Sequence, residues 1–328
     1  MDSLAEEHGF SGVVVVDRRG EVEFARAYGL AHRACAVPNT VDTRFAIASG
    51  TKGLTAVAVV SLIERDVLRL TTTARSLLGR DLPLVRDDVT VEHLLAHRSG
   101  IGDYFDESVI TDINDYLLPV PVQDLLTTEQ FLAVLDGHPT AFPPDERFAY
   151  CNGGYVLLAL LAERASGVPF HDLVRQWVCV PAGMVDTEFL RSDELPERTA
   201  VGYLSIEGVS RSNVFHLSVR GNGDGGVYST AADLSVFWRA LFAGRVVSPR
   251  WVAEMVRPRS DATGEPWRYG LGFWLHPSGD AVMLEGYDPG VSFRSVHDPG
   301  SGVTHTVLSN SSDGAWPITR ELGELLTG

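Results

Sequence analysis

FAIASGTKGLTAVAVVSLIE, residues 45–64, runs from a short apolar segment through a turn of small residues into Thr51–Glu64, which is apolar on nearly every face. Its length favours a helix over a strand, and apolarity all round predicts that the helix is buried. Ser49 stands just before this helix and Lys52 lies in its first turn. A spacing of three puts the two side chains on one face, within hydrogen-bond reach. The unpaired N–H groups and positive dipole end of a helix N-terminus favour negative charge developing on Ser49. The serine's own N–H can form one arm of an oxyanion hole. The pattern S-x-x-K also recurs by chance. In the competing reading Ser49 only caps the helix and Lys52 snorkels to water.

Composition weighs on that choice. Lys and Arg total 27, and Lys52 is the only lysine, leaving 26 arginines (27 − 1). An arginine stays protonated in a protein, whereas a desolvated lysine can give up its proton near neutral pH. A lysine retained where arginine serves everywhere else points to proton transfer, the alternative from composition alone being that one lysine survived by accident.

The chain of 328 residues, 45% hydrophobic and 21% charged, can bury a large interior and fits one large domain or two lobes. A net charge of −16 argues against nucleic acid or an anionic membrane as partner, since both need a basic face. Cys35, Cys151 and Cys179 are odd in number and scattered, which fits a reducing compartment and gives no disulfide or zinc framework. The first residues, MDSLAEEHGF, lack the pattern of a signal peptide, and no apolar run approaches the ~20 residues that span a bilayer. A cytoplasmic location is the resulting expectation.

Outward from the helix, residues 11–16 (SGVVVV) and 21–25 (EVEFA) flank Asp17-Arg18-Arg19-Gly20 and predict a β-hairpin. Helices are expected at 91–97, 128–137, 154–167 and 231–243, with Gly137 and Gly167 at C-terminal caps. LGFWLH (271–276), AVMLE (281–285), VSFRSVH (291–297) and THTVLSN (304–310) predict antiparallel strands, and a last helix covers about 316–326. The expected fold class is therefore α/β (α+β): an antiparallel sheet flanked by helices. Residues 1–75 and 216–328 would form the sheet lobe, and 76–215 an inserted all-helical lobe. The active site would lie between them.

Several stretches together resemble the serine β-lactamase and penicillin-binding-protein superfamily, in particular its class C β-lactamase-like branch of esterases, peptidases and acyltransferases. FAIASGTKGLTA (45–56) looks like the family's nucleophile segment, and TVEHLLAHRSGIGDY (90–104) is similar to its helix ending in a His-x-Ser-Gly turn. Tyr150-Cys151-Asn152 resembles its Tyr-x-Asn motif, and PAGMVDTEF (181–189) and GDGGVYSTAADLSVF (223–237) resemble recurrent structural stretches. The resemblance implies a β-lactamase-like fold and an acyl-enzyme on Ser49, with Lys52 and Tyr150 as the proton-transfer pair. Attraction in such a pair favours a phenolate beside a cation, and which of the two is the resting base stays open. Asn152 would bond Lys52 or a substrate amide. The plainer alternatives are a core tyrosine for Tyr150 and an Asx turn for Asn152.

The chain departs from the family at the third motif. Glu285-Gly286-Tyr287-Asp288-Pro289-Gly290 stands there with no cation at its head, and a single lysine leaves none for a Lys-Thr-Gly. Backbone N–H groups near Tyr287 or Asp288 can complete an oxyanion hole, Arg294 or another arginine would have to replace the cation, and Glu285 would repel a substrate carboxylate unless it is an edge-strand carboxylate facing water. The expected substrate is a small-molecule or peptide ester or amide, with transfer to an alcohol or amine as the alternative to hydrolysis. A β-lactamase, a D-Ala-D-Ala peptidase and an inactive binding homologue rank lower. No metal or cofactor is implied. His93 and His97 have a spacing open to metal ligands, but no third ligand is apparent. No G-x-S-x-G is present, and Cys151 has the composition of a small buried thiol.

Overall fold

The structure is a computed structural model describing residues 1–107, 109–261 and 267–327. Its centre is an eight-stranded antiparallel sheet. The strands in chain order are β1 (Gly12–Arg18), β2 (Glu21–Tyr28), β3 (Ser260–Asp261), β4 (Arg268–Tyr269), β5 (Trp274–Leu275), β6 (Val282–Asp288), β7 (Val291–Asp298) and β8 (Val303–Ser309). Across the sheet they run β2-β1-β8-β7-β6-β5-β4-β3, so the amino-terminal hairpin is zipped onto the last strand, Gly12 opposite Ser309. The valine run of β1 is explained by burial on both faces. Val13 and Val15 enter the main core, while Val14 and Val16 pack with Val307, Ile318 and Leu322 on the other side.

Helix α1 (Thr51–Glu64) is the buried helix expected from its composition, with every residue from Thr51 to Ile63 buried. It lies close against the sheet because Gly50 and Gly53 face it. A Cβ on Gly50 would come within 2.3 Å of the Phe293 ring, and one on Gly53 within 2.3 Å of Leu284 Cδ2. Helix α2 (Asn152–Ser166) packs on α1 and ends at Gly167 in the left-handed region, φ 70°. Helix α3 (Ala231–Phe242) covers β1 and β8, and α4 (Ala315–Thr327) packs on β7 and β8.

The antiparallel sheet flanked by helices matches the expected fold class, with two local differences. LGFWLH is a strand only at Trp274–Leu275. Gly272 takes φ 89°, and Gly270 N–H bonds Phe273 O at 3.0 Å, so 270–273 turns before the strand starts. Within 76–215 the structure also contains a hairpin, Tyr203–Ile206 paired with Val209–Ser212. Its turn residues Glu207 and Gly208 both have positive φ, the geometry that a two-residue hairpin turn requires. The pattern YLSI-EG-VSRS carries that signal in the sequence.

Candidate active site

Ser49 sits in a single 3₁₀ turn, Ala48–Gly50, that runs straight into α1. The residue before it, Ala48, is held at φ 45°, a conformation costly for alanine and common at functional turns. Strand β6 presses on this turn from the sheet. A Cβ on Gly286 would lie 2.1 Å from Ile47 O and 2.9 Å from Ser49 N, so only glycine fits. Strand β5 pairs with β6 no further than Met283, which leaves Glu285–Asp288 beyond the end of that pairing and beside Ser49.

Lys52 is 2% exposed. Its Nζ lies 2.8 Å from Ser49 Oγ, 2.7 Å from Asn152 Oδ1 and 2.8 Å from Asp224 O. Asn152 Oδ1 and Asp224 O can only accept hydrogen bonds. A neutral amine has two N–H donors and one lone pair, so donation to these two oxygens points the lone pair at the Ser49 hydroxyl. Burial lowers the lysine's pKa, opposed by Asp224, then Glu107, Asp288 and Asp103. Burial also drives the Tyr150 phenol well above its usual 10, reinforced by Glu107 and Tyr269. The two shifts oppose a resting phenolate–ammonium pair. Tyr150 and Ser49 line the same cleft, and the Lys52 amine stands over the phenol ring, 4.9 Å from its centroid.

The parts around this triad come from loops. Asp103 caps α2, accepting from Asn152 N at 2.6 Å and Gly153 N at 2.7 Å. Burial nevertheless holds its carboxyl up at about 6. Asn152 Nδ2 donates to Phe105 O and Glu107 Oε1, each at 2.9 Å, which fixes its amide with the oxygen toward Lys52. Thr51 and Thr55 pin the 223–227 loop to α1: Thr51 Oγ1 accepts from Val227 N at 3.1 Å, and Thr55 Oγ1 donates to Gly223 O at 2.6 Å. This places Asp224, whose carboxylate accepts the Tyr104 hydroxyl at 2.5 Å. Behind Tyr150, His97 has φ 54° and its ring centroid lies 4.3 Å from that of the phenol. Its Nδ1 accepts Cys151 N at 3.0 Å.

The two histidines spaced by four serve separate local structures. His93 closes a capping box with Thr90, and His97 braces the Tyr150 segment. Cys151 is buried, and its sulfur accepts Gly154 N at 3.3 Å. At the third motif, Glu285 and Arg294 are directly opposed across β6 and β7 and form an ion pair, with Arg294 Nε 2.5 Å from Glu285 Oε2. This corrects the expectation of a repelling Glu285 and an available Arg294, since each neutralises the other. The surplus of negative groups near Ser49 comes instead from Asp103, Glu107, Asp224 and Asp288. Asp103, Glu107 and Asp224 went unnoticed in the sequence because nothing in their spacing ties them to Ser49.

A serine at a helix N-terminus, a buried lysine three residues on, and a facing antiparallel strand fit a serine acyl-enzyme hydrolase of the β-lactamase-like fold. The comparisons with known proteins agree. The family model described as Beta-lactamase matches residues 1–323, and the chain belongs to that family. It is 30% identical over 330 residues to penicillin-binding protein 4* of Bacillus subtilis (strain 168), covering 95% of this chain and 70% of that protein. It is 30% identical over 302 residues to esterase EstB of Burkholderia gladioli, covering 83% and 76%. A penicillin-binding protein structure from Bacillus halodurans superposes with a TM-score of 0.92 at 35% identity, covering 99% of each chain. Among the described residues no helix is long and apolar enough to cross a membrane.

Proposed function

We propose that this chain hydrolyses neutral or cationic esters or amides through an acyl-enzyme on Ser49, with neutral Lys52 as general base. Lys52 takes the serine proton as Oγ attacks the carbonyl carbon. The resulting oxyanion is received by the Ser49 N–H and by backbone N–H groups of the 286–288 edge. Collapse breaks the bond to the leaving group, which takes a proton from Tyr150, and Lys52 returns its proton to the phenol. Water then attacks the ester along the same proton route and regenerates Ser49. Asn152 holds the amine in register throughout.

The observation that carries this reading is the three-way contact of Lys52 Nζ, two acceptor-only oxygens and one hydroxyl. A cation on Lys52 would satisfy the same contacts as a donor to Ser49, but burial disfavours it. The test is intact-mass analysis after incubation with p-nitrophenyl butyrate and with a fluorophosphonate, followed by peptide mapping. One adduct is expected on Ser49 and none on Ser49→Ala; an adduct on Cys151 or on another serine refutes the mechanism.

A further inference from the structure

His97 grips the segment that carries Tyr150 with both its main chain and its side chain. Residues 147–151 belong to no helix or strand. The two amides that flank Tyr150 both end on His97: Ala149 N–H donates to its carbonyl at 2.9 Å, and Cys151 N–H donates to its Nδ1 at 3.0 Å. The imidazole also lies against the phenol, 4.3 Å between ring centroids. Resting on the hydrolase reading above, we propose that His97 is a positioning residue for Tyr150: its Nδ1 fixes the peptide after the tyrosine and so holds the phenol where a departing group takes its proton.

Two features of residue 97 cost stability and are explained by this task. Its φ of 54° is uncommon for a residue that carries a side chain. Its ring is 1% exposed, and Nε2 is buried with no hydrogen-bond partner. Because Nδ1 accepts a hydrogen bond, the neutral ring carries its proton on Nε2. A donor is thereby left unpaired among the rings of Tyr155 and Tyr269, whose centroids lie 4.9 and 4.8 Å from that of the imidazole. A phenylalanine would fill this aromatic surround without burying an unpaired donor. What it would lack is an acceptor for Cys151 N–H, so the tie to the Tyr150 segment is what the imidazole contributes.

The grip has a firm base. His97 follows the helix Val91–Leu95, whose last carbonyl accepts the Tyr155 hydroxyl of α2 at 2.8 Å. The Lys52 amine stands over the rings of both Tyr150 and Tyr155, 4.9 and 5.8 Å from their centroids. A shift at residue 97 therefore moves the phenol relative to the amine that resupplies its proton. Burial, reinforced by Lys52, holds the imidazole well below its usual 6.5, which keeps Nδ1 free to accept. Since His97 acts only through Tyr150, its effect follows the leaving group's need for a proton. A p-nitrophenolate departs unaided, whereas an alkoxide needs the acid.

The test compares kcat/KM, which reads the steps through acylation, for trifluoroethyl butyrate and p-nitrophenyl butyrate. His97→Ala should lower the trifluoroethyl-to-p-nitrophenyl ratio at least tenfold. His97→Asn, which tolerates a positive φ and offers an acceptor near the place of Nδ1, should restore the ratio to within threefold of wild type. In a Tyr150→Phe background, His97→Ala should lower the ratio no further, because its effect runs through the phenol. A folded His97→Ala enzyme with an unchanged ratio overturns the proposal. So does an asparagine variant no better than alanine, or a further fall in the absence of the phenol. If His97→Ala does not fold, His97→Gln, which fills the space but carries its oxygen one bond further out, takes its place with the same expected loss. A wild type unable to cleave trifluoroethyl butyrate also overturns the proposal, since it has no working acid to position. Acylation of Ser49 by p-nitrophenyl butyrate, followed by mass, separates the two levels. If that adduct is absent the hydrolase reading itself fails, whereas an adduct with a ratio insensitive to residue 97 defeats only the role of His97.

Discussion

Lys52→Arg separates a proton carrier from an electrostatic anchor. Arginine keeps the positive charge, and its donors can serve both acceptor-only oxygens, Asn152 Oδ1 and Asp224 O, now bonded by the amine. The nearby carboxylates that favour a cation at residue 52 remain in place. The site is 2% exposed, so the larger head overpacks it, a strain of about 1–3 kcal/mol that a protein of this size tolerates without unfolding. What arginine cannot supply is a lone pair aimed at Ser49 Oγ, because it does not deprotonate in proteins. Loss of general-base help lowers a rate ~10²–10⁴-fold, or about 3–5 kcal/mol of transition-state stabilisation at 1.36 kcal/mol per decade. The assay is steady-state kcat/KM on p-nitrophenyl butyrate beside a thermal melt of both proteins. A folded Lys52→Arg enzyme that keeps a third of the wild-type rate would refute the base assignment and leave Lys52 as a structural cation.

Three further outcomes are expected. Gly286→Ala should lose at least a hundredfold in kcat/KM, because its Cβ would overlap the backbone at Ile47 and Ser49 and push β6 off the nucleophile; near-normal turnover would mean that this strand does not form the oxyanion site. Nitrocefin and a D-Ala-D-Ala peptide should be turned over at least tenfold less efficiently than p-nitrophenyl butyrate, since Arg294 is spent on Glu285 and a substrate carboxylate would enter beside Asp224 and Asp288, whose carboxyls burial already holds up; if either wins tenfold, Arg294 must bind it. Asp103 binds its proton more tightly folded, at about 6, than unfolded, at about 4, so its stabilising contribution is full below pH 4 and is lost as pH rises through 6, a change of up to about 3 kcal/mol; urea unfolding at pH 4, 5, 6 and 7 should show the wild type losing that much relative to Asp103→Asn, and a constant difference contradicts the assignment.

The parts of the site legible in the sequence were those whose geometry is local. Ser49 and Lys52 are one helical turn apart, so their meeting is fixed by the helix alone. Tyr150 precedes and Asn152 opens a strongly apolar helix, and that helix packs on α1. The Glu285–Arg294 pair required the strand register, which places the two residues opposite each other and is set by the hairpin at Pro289-Gly290. Asp103, Glu107 and Asp224 lie on loops whose approach to Lys52 is determined by tertiary packing, and no periodicity marks them. In the fold, the long strands and the buried helix were visible as apolar runs. The short strands β3 and β4 at one end of the sheet were not, because two residues carry no pattern.

The zipping of Gly12–Arg18 onto Val303–Ser309 has a kinetic consequence. Contacts between opposite ends of the sequence must close a very long loop, and such contacts form late and slowly. The nucleophile belongs to an early segment, and the strand that presses on it, β6, belongs to a late one. During synthesis the serine emerges long before Gly286, so a nascent chain presents an ordinary hydroxyl with no strand opposite it. If the 286–288 edge receives the oxyanion as proposed, hydrolysis requires these late strands, and a chain arrested before them would lack it.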